Sequence, residues 1–438
     1  MEGSDTVNNK ILILGGKVIT MEDKIIEDGS IYIEGNKIKF VGTREEGESY
    51  KDDNVKVLDA ENKYILPGFM NMHCHLFQVL LRTYGADLNL LDWLNKVIWP
   101  VLPQMTEEDI RSSTELAVLE NIRSGVTTLI DMNYGNPHHE TVLDVFKETG
   151  IRGYLSRGFY EVEAKDIMIE ETNEALEDTE RLMKKHENVM PGPMHPVFVT
   201  NDSLEELKRL SDKYDRNFYV HLAESKEDVE LLKQKRGLRD AELLNDLGIL
   251  DEKFIGVHSI QLTKEEIEML GKTNSNTVHC PTSNMYVNDG VSPVSELIEK
   301  GANVTIATDG PASTGKQDYF SEMKTASLLQ KIHYDNPEII SAPDILKMGT
   351  KNGAKALDIE TGSLKKDKLA DITILDMEKP NTVHAYNPKG SIVYSSSPNN
   401  VNTVISNGQI LMENKEVKVL NEEKVLQKAN KTAEKLVK

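Results

Sequence analysis

Two histidines separated by a single residue, His73 and His75, stand at the end of an apolar run in the segment NMHCHLFQ. The run before them, YILPGFMNM, has the composition of a buried strand, and alternate side chains of a strand point to the same face. Two imidazoles that point together are half of a metal site. A His-x-His pair also occurs as two structural histidines with hydrogen-bonded rings, so the rest of the chain has to separate the two interpretations.

Further side chains of the same chemistry stand where other strand-like runs end. His221 and Glu224 lie in HLAES, His258 lies in GVHS, His279 lies in HCPTSN, and Asp309 lies in ATDG. Placement by chance would scatter histidines over helices and loops. The pattern therefore favours a site assembled from the ends of several strands.

A set of three imidazoles and one carboxylate suits Zn²⁺, or Fe²⁺ as the alternative, with one position left open for water. We predict that His73, His75, His221 and Asp309 bind one divalent metal. Such an ion makes a water reactive near neutral pH.

Two side chains beside these ligands have the chemistry to move protons. We predict that Glu224 carries a proton between water and the leaving group, and that His258 and Asp309 orient and deprotonate the water. The alternative for Glu224 is a carboxylate at a helix start, since AESKEDVE resembles one. The alternative for His258 is a buried histidine bonded to the backbone.

Strand-like runs alternate with amphipathic helical stretches over the middle of the chain. The eight runs are YILPGFMNMH, VTTLIDMN, IRGYLSRGF, VMPGPMHPVFV, NFYVHLAE, FIGVHSI, NTVHCPTSN and NVTIATDG. One helix should begin at Thr106, with Asp109 completing a capping box, and stop at Gly125. The pattern predicts an α/β protein with a (β/α)8 barrel, whose chemistry lies at the carboxyl ends of the strands. An open doubly wound sheet is the rival, but no glycine-rich phosphate turn follows a strand.

Both ends of the chain have a different sequence pattern, in which short strand-like runs are separated by turn residues. Residues 10–66 indicate a β-meander, and similar runs return in ADITILDME, SIVYSSSP and NTVISNGQILMENKEV. We predict one small composite β-sandwich domain built from 1–66 and 371–438, the latter with a terminal helix, around a barrel over 67–370.

Composition restricts the partners and the compartment. The 438 residues carry 51 Lys and Arg against 72 Asp and Glu, a formal charge of −21, which repels nucleic acid and anionic membrane surfaces. No apolar stretch approaches the roughly 20 residues that span a bilayer. Only Cys74 and Cys280 occur, and the polar N-terminus MEGSDTVNNK lacks the features of a secretory signal, so we expect a cytoplasmic protein.

The motifs together resemble those of the amidohydrolase superfamily, in its branch of S-adenosylhomocysteine/methylthioadenosine deaminases, guanine-type deaminases and triazine hydrolases. LPGFMNMHCH, DLNLLDWLNKVIWP, RSGVTTLIDM, HLAES, HCPTSN and ATDGPAS follow one another in family order and spacing. The resemblance implies one metal on the four predicted ligands, Glu224 as proton shuttle, His258 beside the attacking water, the composite β-domain, and a homo-oligomer, dimeric or higher.

Some positions depart from the nucleoside-acting members of that family. Leu102 stands where they have a glutamate that contacts ribose hydroxyls, and a leucine accepts no hydrogen bonds. The fourth strand reads GPMHP where they have GPHSP, which shifts His195, and PASTGKQD follows Asp309 in place of Ser-Asn-Asn. These departures argue against a ribosylated substrate.

Five residues are our candidates for substrate binding. Gln78 could pair through its amide with a ring nitrogen and an exocyclic group, and Trp93 could cover the ring or simply pack in its helix. Arg157, at the end of the third strand, could bind a polar substituent or a neighbouring acid. His195 on the fourth strand and His279 at the end of the seventh complete the set.

The sequence therefore predicts a metal-dependent hydrolase that removes an exocyclic amino group from a small purine, pterin, pyrimidine or triazine and releases ammonia. The alternative is the same machinery with another leaving group, such as chloride or a substituted amine from a triazine. A non-catalytic barrel protein is the third hypothesis.

Overall fold

The computed structural model describes residues 9–22, 24–135 and 137–437. The segment 1–8, which carries most of the N-terminus considered above, lies outside the described residues. The strands are β1 (Lys10–Leu14), β2 (Lys17–Ile19), β3 (Ile25–Ile26), β4 (Gly29–Glu34), β5 (Lys37–Thr43), β6 (Lys56–Asp59), β7 (Lys63–Pro67), β8 (Phe69–Cys74), β9 (Val126–Asn133), β10 (Arg152–Arg157), β11 (Val189–Pro191), β12 (Phe218–Leu222), β13 (Phe254–His258), β14 (Asn276–His279), β15 (Asn303–Ile306), β16 (Ile372–Asp376), β17 (Val401–Ser406), β18 (Gln409–Glu413) and β19 (Glu416–Val417).

The helices lie mostly between the strands of the central region. They are α1 (Arg44–Glu48), α2 (Leu90–Trp93), α3 (Trp99–Val101), α4 (Glu107–Arg123), α5 (His139–Thr149), α6 (Thr172–Lys185), α7 (Asn201–Tyr214), α8 (Lys226–Arg236), α9 (Asp240–Asp246), α10 (Lys264–Lys272), α11 (Pro281–Tyr286), α12 (Val294–Lys300), α13 (Pro311–Thr314), α14 (Tyr319–His333), α15 (Ala342–Met348), α16 (Lys351–Ala356), α17 (Pro388–Tyr394) and α18 (Glu422–Leu436).

The eight strands β8 to β15 are parallel and confirm the predicted (β/α)8 arrangement. Hydrogen-bonded ladders join them as two sets of four, β8–β9–β10–β11 and β12–β13–β14–β15. Single backbone bonds bridge the two seams: Asp309 N–H donates to His73 O at 3.0 Å, and His221 N–H donates to Met194 O at 3.3 Å. The carboxyl ends of the strands therefore meet at one rim.

Local sequence explains the bounds of these elements. Strand β9 is buried along its whole length, as the run VTTLIDMN predicts. Helix α4 begins after Thr106, whose hydroxyl accepts from Asp109 N–H while the Asp109 carboxylate accepts from Thr106 N–H, so the predicted capping box is confirmed. The fourth strand is shorter than predicted, because Pro191, Pro193 and Pro196 supply no N–H to a ladder.

The two ends of the chain pack as two facing sheets. One has the order β5–β4–β1–β6, and the other is β19–β18–β17–β16–β7–β2–β3. In the second sheet β7 pairs antiparallel with β16, which joins residues 63–67 to 372–376. Isoleucines of both sheets, among them Ile11, Ile65 and Ile374, form one buried cluster. The domain boundaries proposed from the sequence stay predictions.

One strand-like run at the C-terminal end is helical. The segment SIVY lies in α17, and the prediction of strand texture there was wrong. Asn387 accepts a hydrogen bond from Gly390 N–H at 2.9 Å and Pro388 occupies the first turn, which are helix-start features that outweigh the β-branched residues. No helix within the described parts of the chain is long and apolar enough to cross a membrane.

Candidate metal centre and active site

The side chains predicted as metal ligands converge at the rim of the barrel. One ring nitrogen from each of His73, His75 and His221 lies within 4.8 Å of the other two. Asp309 Oδ1 lies 3.2 Å from His73 Nε2 and 3.5 Å from His75 Nε2. Residues from the first, fifth and eighth barrel strands thus face one point, although more than 200 positions separate His73 from Asp309 in the chain.

The other ring nitrogen of each histidine is held by an acceptor. His75 Nδ1 bonds to Met132 O at 2.8 Å, and His221 Nδ1 bonds to Met194 O at 2.6 Å. A carbonyl only accepts, so these Nδ1 atoms carry the proton and each Nε2 presents a lone pair to the shared point. The arrangement fixes both the tautomer and the orientation of the rings.

A tyrosine performs the same task for His73. Tyr219 donates its hydroxyl proton to Met72 O at 2.7 Å and lies 2.8 Å from His73 Nδ1, from which it therefore accepts. His73 Nε2 is fully buried and has no hydrogen-bond partner within the described residues. This lone pair faces a carboxylate oxygen of Asp309, an arrangement of two acceptors that is repulsive unless a cation lies between them.

Asp309 is held in one orientation by its surroundings. Ser283 donates to its Oδ2 at 2.5 Å, and Gly310 N–H donates to Oδ1 at 2.6 Å. The backbone of Asp309 has φ +59°, a left-handed conformation that is uncommon outside glycine. These contacts fix the carboxylate so that Oδ1 faces His73 and His75.

Burial keeps the imidazoles neutral. It lowers the pKa of His73 to about 3 and lowers the pKa values of His75, His221 and His258 below their ordinary values. A metal ligand has to be a neutral imidazole. The donor set, its tautomers and the facing lone pairs therefore fit a divalent ion of the zinc type.

Glu224 and His258 lie side by side next to this point. His258 Nε2 is 3.3 Å from Glu224 Oε1, and His258 Nδ1 bonds to Asn284 Oδ1 at 2.9 Å. Burial, and then the negative charges of Asp289, Asp228 and Asp309, raise the pKa of Glu224 well above its ordinary value. A carboxyl group with a raised pKa keeps a proton that it can deliver at neutral pH.

A cavity opens above these groups, and three of the candidate substrate-binding residues line it. Gln78 is almost fully buried, and its Oε1 has no partner within the described residues. A β-carbon at Gly310 would lie 1.9 Å from that oxygen, so only glycine permits the approach. Trp93 and His195 also line the cavity, with His195 Nε2 2.7 Å from Asp240 Oδ1.

The other two candidates lie away from the cavity. The Arg157 guanidinium contacts Glu170 at 2.6 Å and Asp178 at 3.3 Å. Of the two alternatives for this arginine, the structure therefore has the ion pair with neighbouring acids. His279 is buried, neither ring nitrogen has a partner within the described residues, and it does not line the cavity. Burial and the nearby His258 lower the pKa of His279 to about 3.

Several side chains of the site were not singled out from the sequence. Tyr134 and Tyr160 form an aromatic wall, with ring centroids 5.7 Å apart, and Ser283 and Ser313 also line the cavity. Tyr134 directly follows β9, and Ser283 lies in the motif HCPTSN, so position at a strand end was the available signal. His139, at the start of α5, is also buried, and its Nδ1 bonds to Asn133 Oδ1 at 2.7 Å.

Residues 64–411 match the amidohydrolase family. The chain is 34% identical over 432 residues to the 5-methylthioadenosine/S-adenosylhomocysteine deaminase of Pyrococcus furiosus, which covers 98% of this chain and 100% of that protein. It is 35% identical over 437 residues to the 5'-deoxyadenosine deaminase of Methanosarcina acetivorans, with 98% of each covered. Among solved structures, a zinc-bound adenosine deaminase from Xanthomonas campestris superposes with a TM-score of 0.93 at 24% identity, covering 98% of both chains.

Proposed function

The chain belongs to the amidohydrolase family, and we propose that it is a metal-dependent hydrolytic deaminase. It replaces an exocyclic amino group of a nitrogen heterocycle with oxygen and releases ammonia. The observation that carries the proposal is a cluster of overlapping groups at one rim: three neutral imidazoles lie together, the Asp309 carboxylate lies beside His73, and the Glu224 carboxyl group lies beside His221 and His258.

The proposed ligands are His73, His75, His221 and Asp309, and the metal is zinc. When bound, zinc supplies a Lewis acid that makes a water nucleophilic near neutral pH. The facing lone pairs of His73 and Asp309 support a cation at this point. The zinc in the adenosine deaminase of similar fold supports the choice of metal.

The chain's own residues supply the proton transfers. Glu224 gives its proton to the ring nitrogen next to the attacked carbon, takes one from the water, and passes it to the departing amine. His258 accepts a hydrogen bond from the water at Nε2, because Asn284 holds the proton on its Nδ1. Ser283 keeps the second oxygen of Asp309 occupied, so the first stays directed at the histidines.

The cavity favours a flat and uncharged substrate. Its walls include Trp93, Tyr134 and Tyr160, whose rings suit an aromatic heterocycle, and the amide of Gln78 can pair with a ring nitrogen. No lysine or arginine within the described residues lines it, and Arg157 is engaged by two acids. We therefore expect neutral heterocycles to be turned over faster than phosphorylated ones.

The names of the two deaminase relatives favour an adenine ring, carried by a 5'-substituted nucleoside. Leu102 offers no acceptor for ribose hydroxyls, is fully buried, and does not line the cavity. Bare aminopurines and 5'-substituted adenosines are therefore the two substrate groups to compare first.

A substrate panel tests the proposal. Purified zinc-loaded protein is incubated with adenine, guanine, adenosine, 5'-deoxyadenosine, 5'-methylthioadenosine, adenosine monophosphate, an aminopterin, cytosine and a chlorotriazine, and ammonia and chloride are assayed separately. The Glu224→Gln variant serves as the matched control, because it keeps the size of the side chain and removes the proton donor.

Ammonia release by the wild type that disappears in Glu224→Gln is the expected result. Chloride release without ammonia would replace the proposal with the dechlorination alternative. A fully zinc-loaded protein that releases neither product from any compound would contradict it.

A further inference from the structure

The residue that precedes the proposed proton shuttle has a strained backbone. Ala223 links β12 to Glu224 and has φ +46°, a left-handed conformation that L-residues other than Asn and Asp rarely adopt. Its carbonyl accepts from Ile260 N–H at 3.1 Å and from Gln261 N–H at 2.8 Å. These bonds join the turn to the segment after β13. They involve only the carbonyl of Ala223, and the N–H of Ala223 has a different partner.

A buried carboxylate holds that N–H. Asp240, the first residue of α9, has no exposed surface, and its Oδ1 accepts from Ala223 N–H at 3.2 Å. The same oxygen lies 2.7 Å from His195 Nε2. Its Oδ2 has no hydrogen-bond partner within the described residues, so the contacts of this acid are concentrated on one oxygen.

The tautomer of His195 shows the direction of this contact. His195 Nδ1 accepts from Val197 N–H at 3.2 Å, so Nδ1 carries no proton and Nε2 carries it. Nε2, which carries the proton, lies 2.7 Å from Asp240 Oδ1, an electrostatic contact in which the N–H is not aligned for a hydrogen bond. Both ring nitrogens thus face groups of the protein, Val197 N–H at Nδ1 and the Asp240 carboxylate at Nε2.

We propose that Asp240 is a positioning residue for Glu224. It holds Ala223 N–H, His195 fixes its carboxylate, and together they keep the strained turn in the one conformation that places Glu224 Oε1 3.3 Å from His258 Nε2. The inference rests on the proposed function of Glu224. Neither residue contacts the reacting atoms, so the effect on turnover passes through Glu224.

Two substitutions at this position separate positioning from simple loss of packing. Asp240→Leu keeps the number and branching of the side-chain heavy atoms and removes the acceptor, whereas Asp240→Asn keeps an oxygen that can accept from Ala223 N–H. Asp246→Leu, at an exposed position of the same helix, is the matched control. For each protein we measure the zinc content, hydrogen exchange of a peptide covering 219–226, kcat and KM.

In Asp240→Leu we expect faster exchange of the Ala223 amide, a kcat lower by about 100-fold, and a KM within about threefold of the wild type, since a misplaced catalytic group costs this much. Zinc content should stay the same. Asp240→Asn and Asp246→Leu should stay within about fivefold of the wild-type kcat. If Asp240→Leu does not fold, slower exchange at Ala223 in Asp240→Asn than in a Asp240→Ala variant is the expected result.

The double variant Glu224→Gln/Asp240→Leu adds a sharper measurement. If Asp240 acts through Glu224, the second substitution causes no further loss of kcat beyond Glu224→Gln alone. Additive losses, or an Ala223 amide whose exchange is unchanged in Asp240→Leu, would overturn the inference while the proposed function stands. A wild-type protein without deaminase activity would overturn the proposed function, and the exchange of Ala223 would still decide whether Asp240 holds the turn.

Discussion

Removal of one buried hydroxyl should weaken metal binding while every proposed ligand stays in place. Tyr219 is fully buried, and its hydroxyl joins Met72 O to His73 Nδ1. Tyr219→Phe keeps the ring but leaves the His73 Nδ1–H without its acceptor, so the tautomer with a free Nε2 is no longer enforced. Loss of such an outer hydrogen bond lowers metal affinity by about 10- to 100-fold, or about 1.4–2.8 kcal/mol.

The same substitution has a second effect that does not depend on metal. It leaves one buried donor and one buried acceptor unpaired, so we expect the free energy of unfolding of the metal-free protein to fall by about 2–4 kcal/mol. Zinc affinity is measured by competition with a chromophoric chelator, and stability is measured by urea unfolding after removal of zinc.

A tyrosine in the helical layer supplies the control. The Tyr334 hydroxyl donates to Glu296, so Tyr334→Phe also removes a bonded phenol but contacts none of the proposed ligands. It should lower stability modestly and leave the zinc Kd unchanged. A zinc Kd for Tyr219→Phe within about twofold of the wild type would refute the reasoning, because the hydroxyl would then have no part in orienting His73.

Three further outcomes are expected. Glu224→Gln should lower kcat by about 10²- to 10⁴-fold with unchanged zinc content by elemental analysis, and a normal kcat would exclude the shuttle. Burial raises the pKa of Glu322 to about 8 from 4.5, so between these values the folded protein keeps a proton that the unfolded chain has lost. Stability should therefore fall as pH rises through this window, by up to about 1.4 kcal/mol per pH unit, and Glu322→Gln should flatten the fall in urea unfolding; equal slopes would contradict this. Removal of zinc by a chelator should lower the Tm, and zinc at about 100 times its Kd should restore about 2.7 kcal/mol; an unchanged Tm would argue against a bound ion.

The barrel and the proximity of the proposed ligands could be predicted, because both follow from regular patterns in the sequence: the alternation of side chains along a strand and the alternation of strands with helices. Alternation along β8 points His73 and His75 to one side, and a parallel barrel brings strand ends such as His221 and Asp309 to one rim whatever their separation in sequence. Residue type and place in the strand were sufficient for this inference.

What the sequence could not supply is which partner a polar side chain finds across the fold. Arg157 stands at a strand end like the proposed ligands, yet Glu170 and Asp178 lie close enough to engage it. The contact between His195 and Asp240 spans 45 positions, and no local pattern indicates it. His139 is buried because Asn133 offers it an acceptor at the end of β9.

The pairing of β7 with β16 also has a consequence for how the chain is made. The first half of this ladder leaves the ribosome with residues 63–67, and its partner follows only with residues 372–376. Until then the isoleucines of β1 and β4 face only β2, β3 and β7 of the opposite sheet, and the cover that Ile372, Ile374 and Ile405 supply is missing. A nascent chain stalled before residue 372 thus exposes an apolar face that chaperones recognise, and folding of this part is completed after nearly the whole polypeptide has been translated.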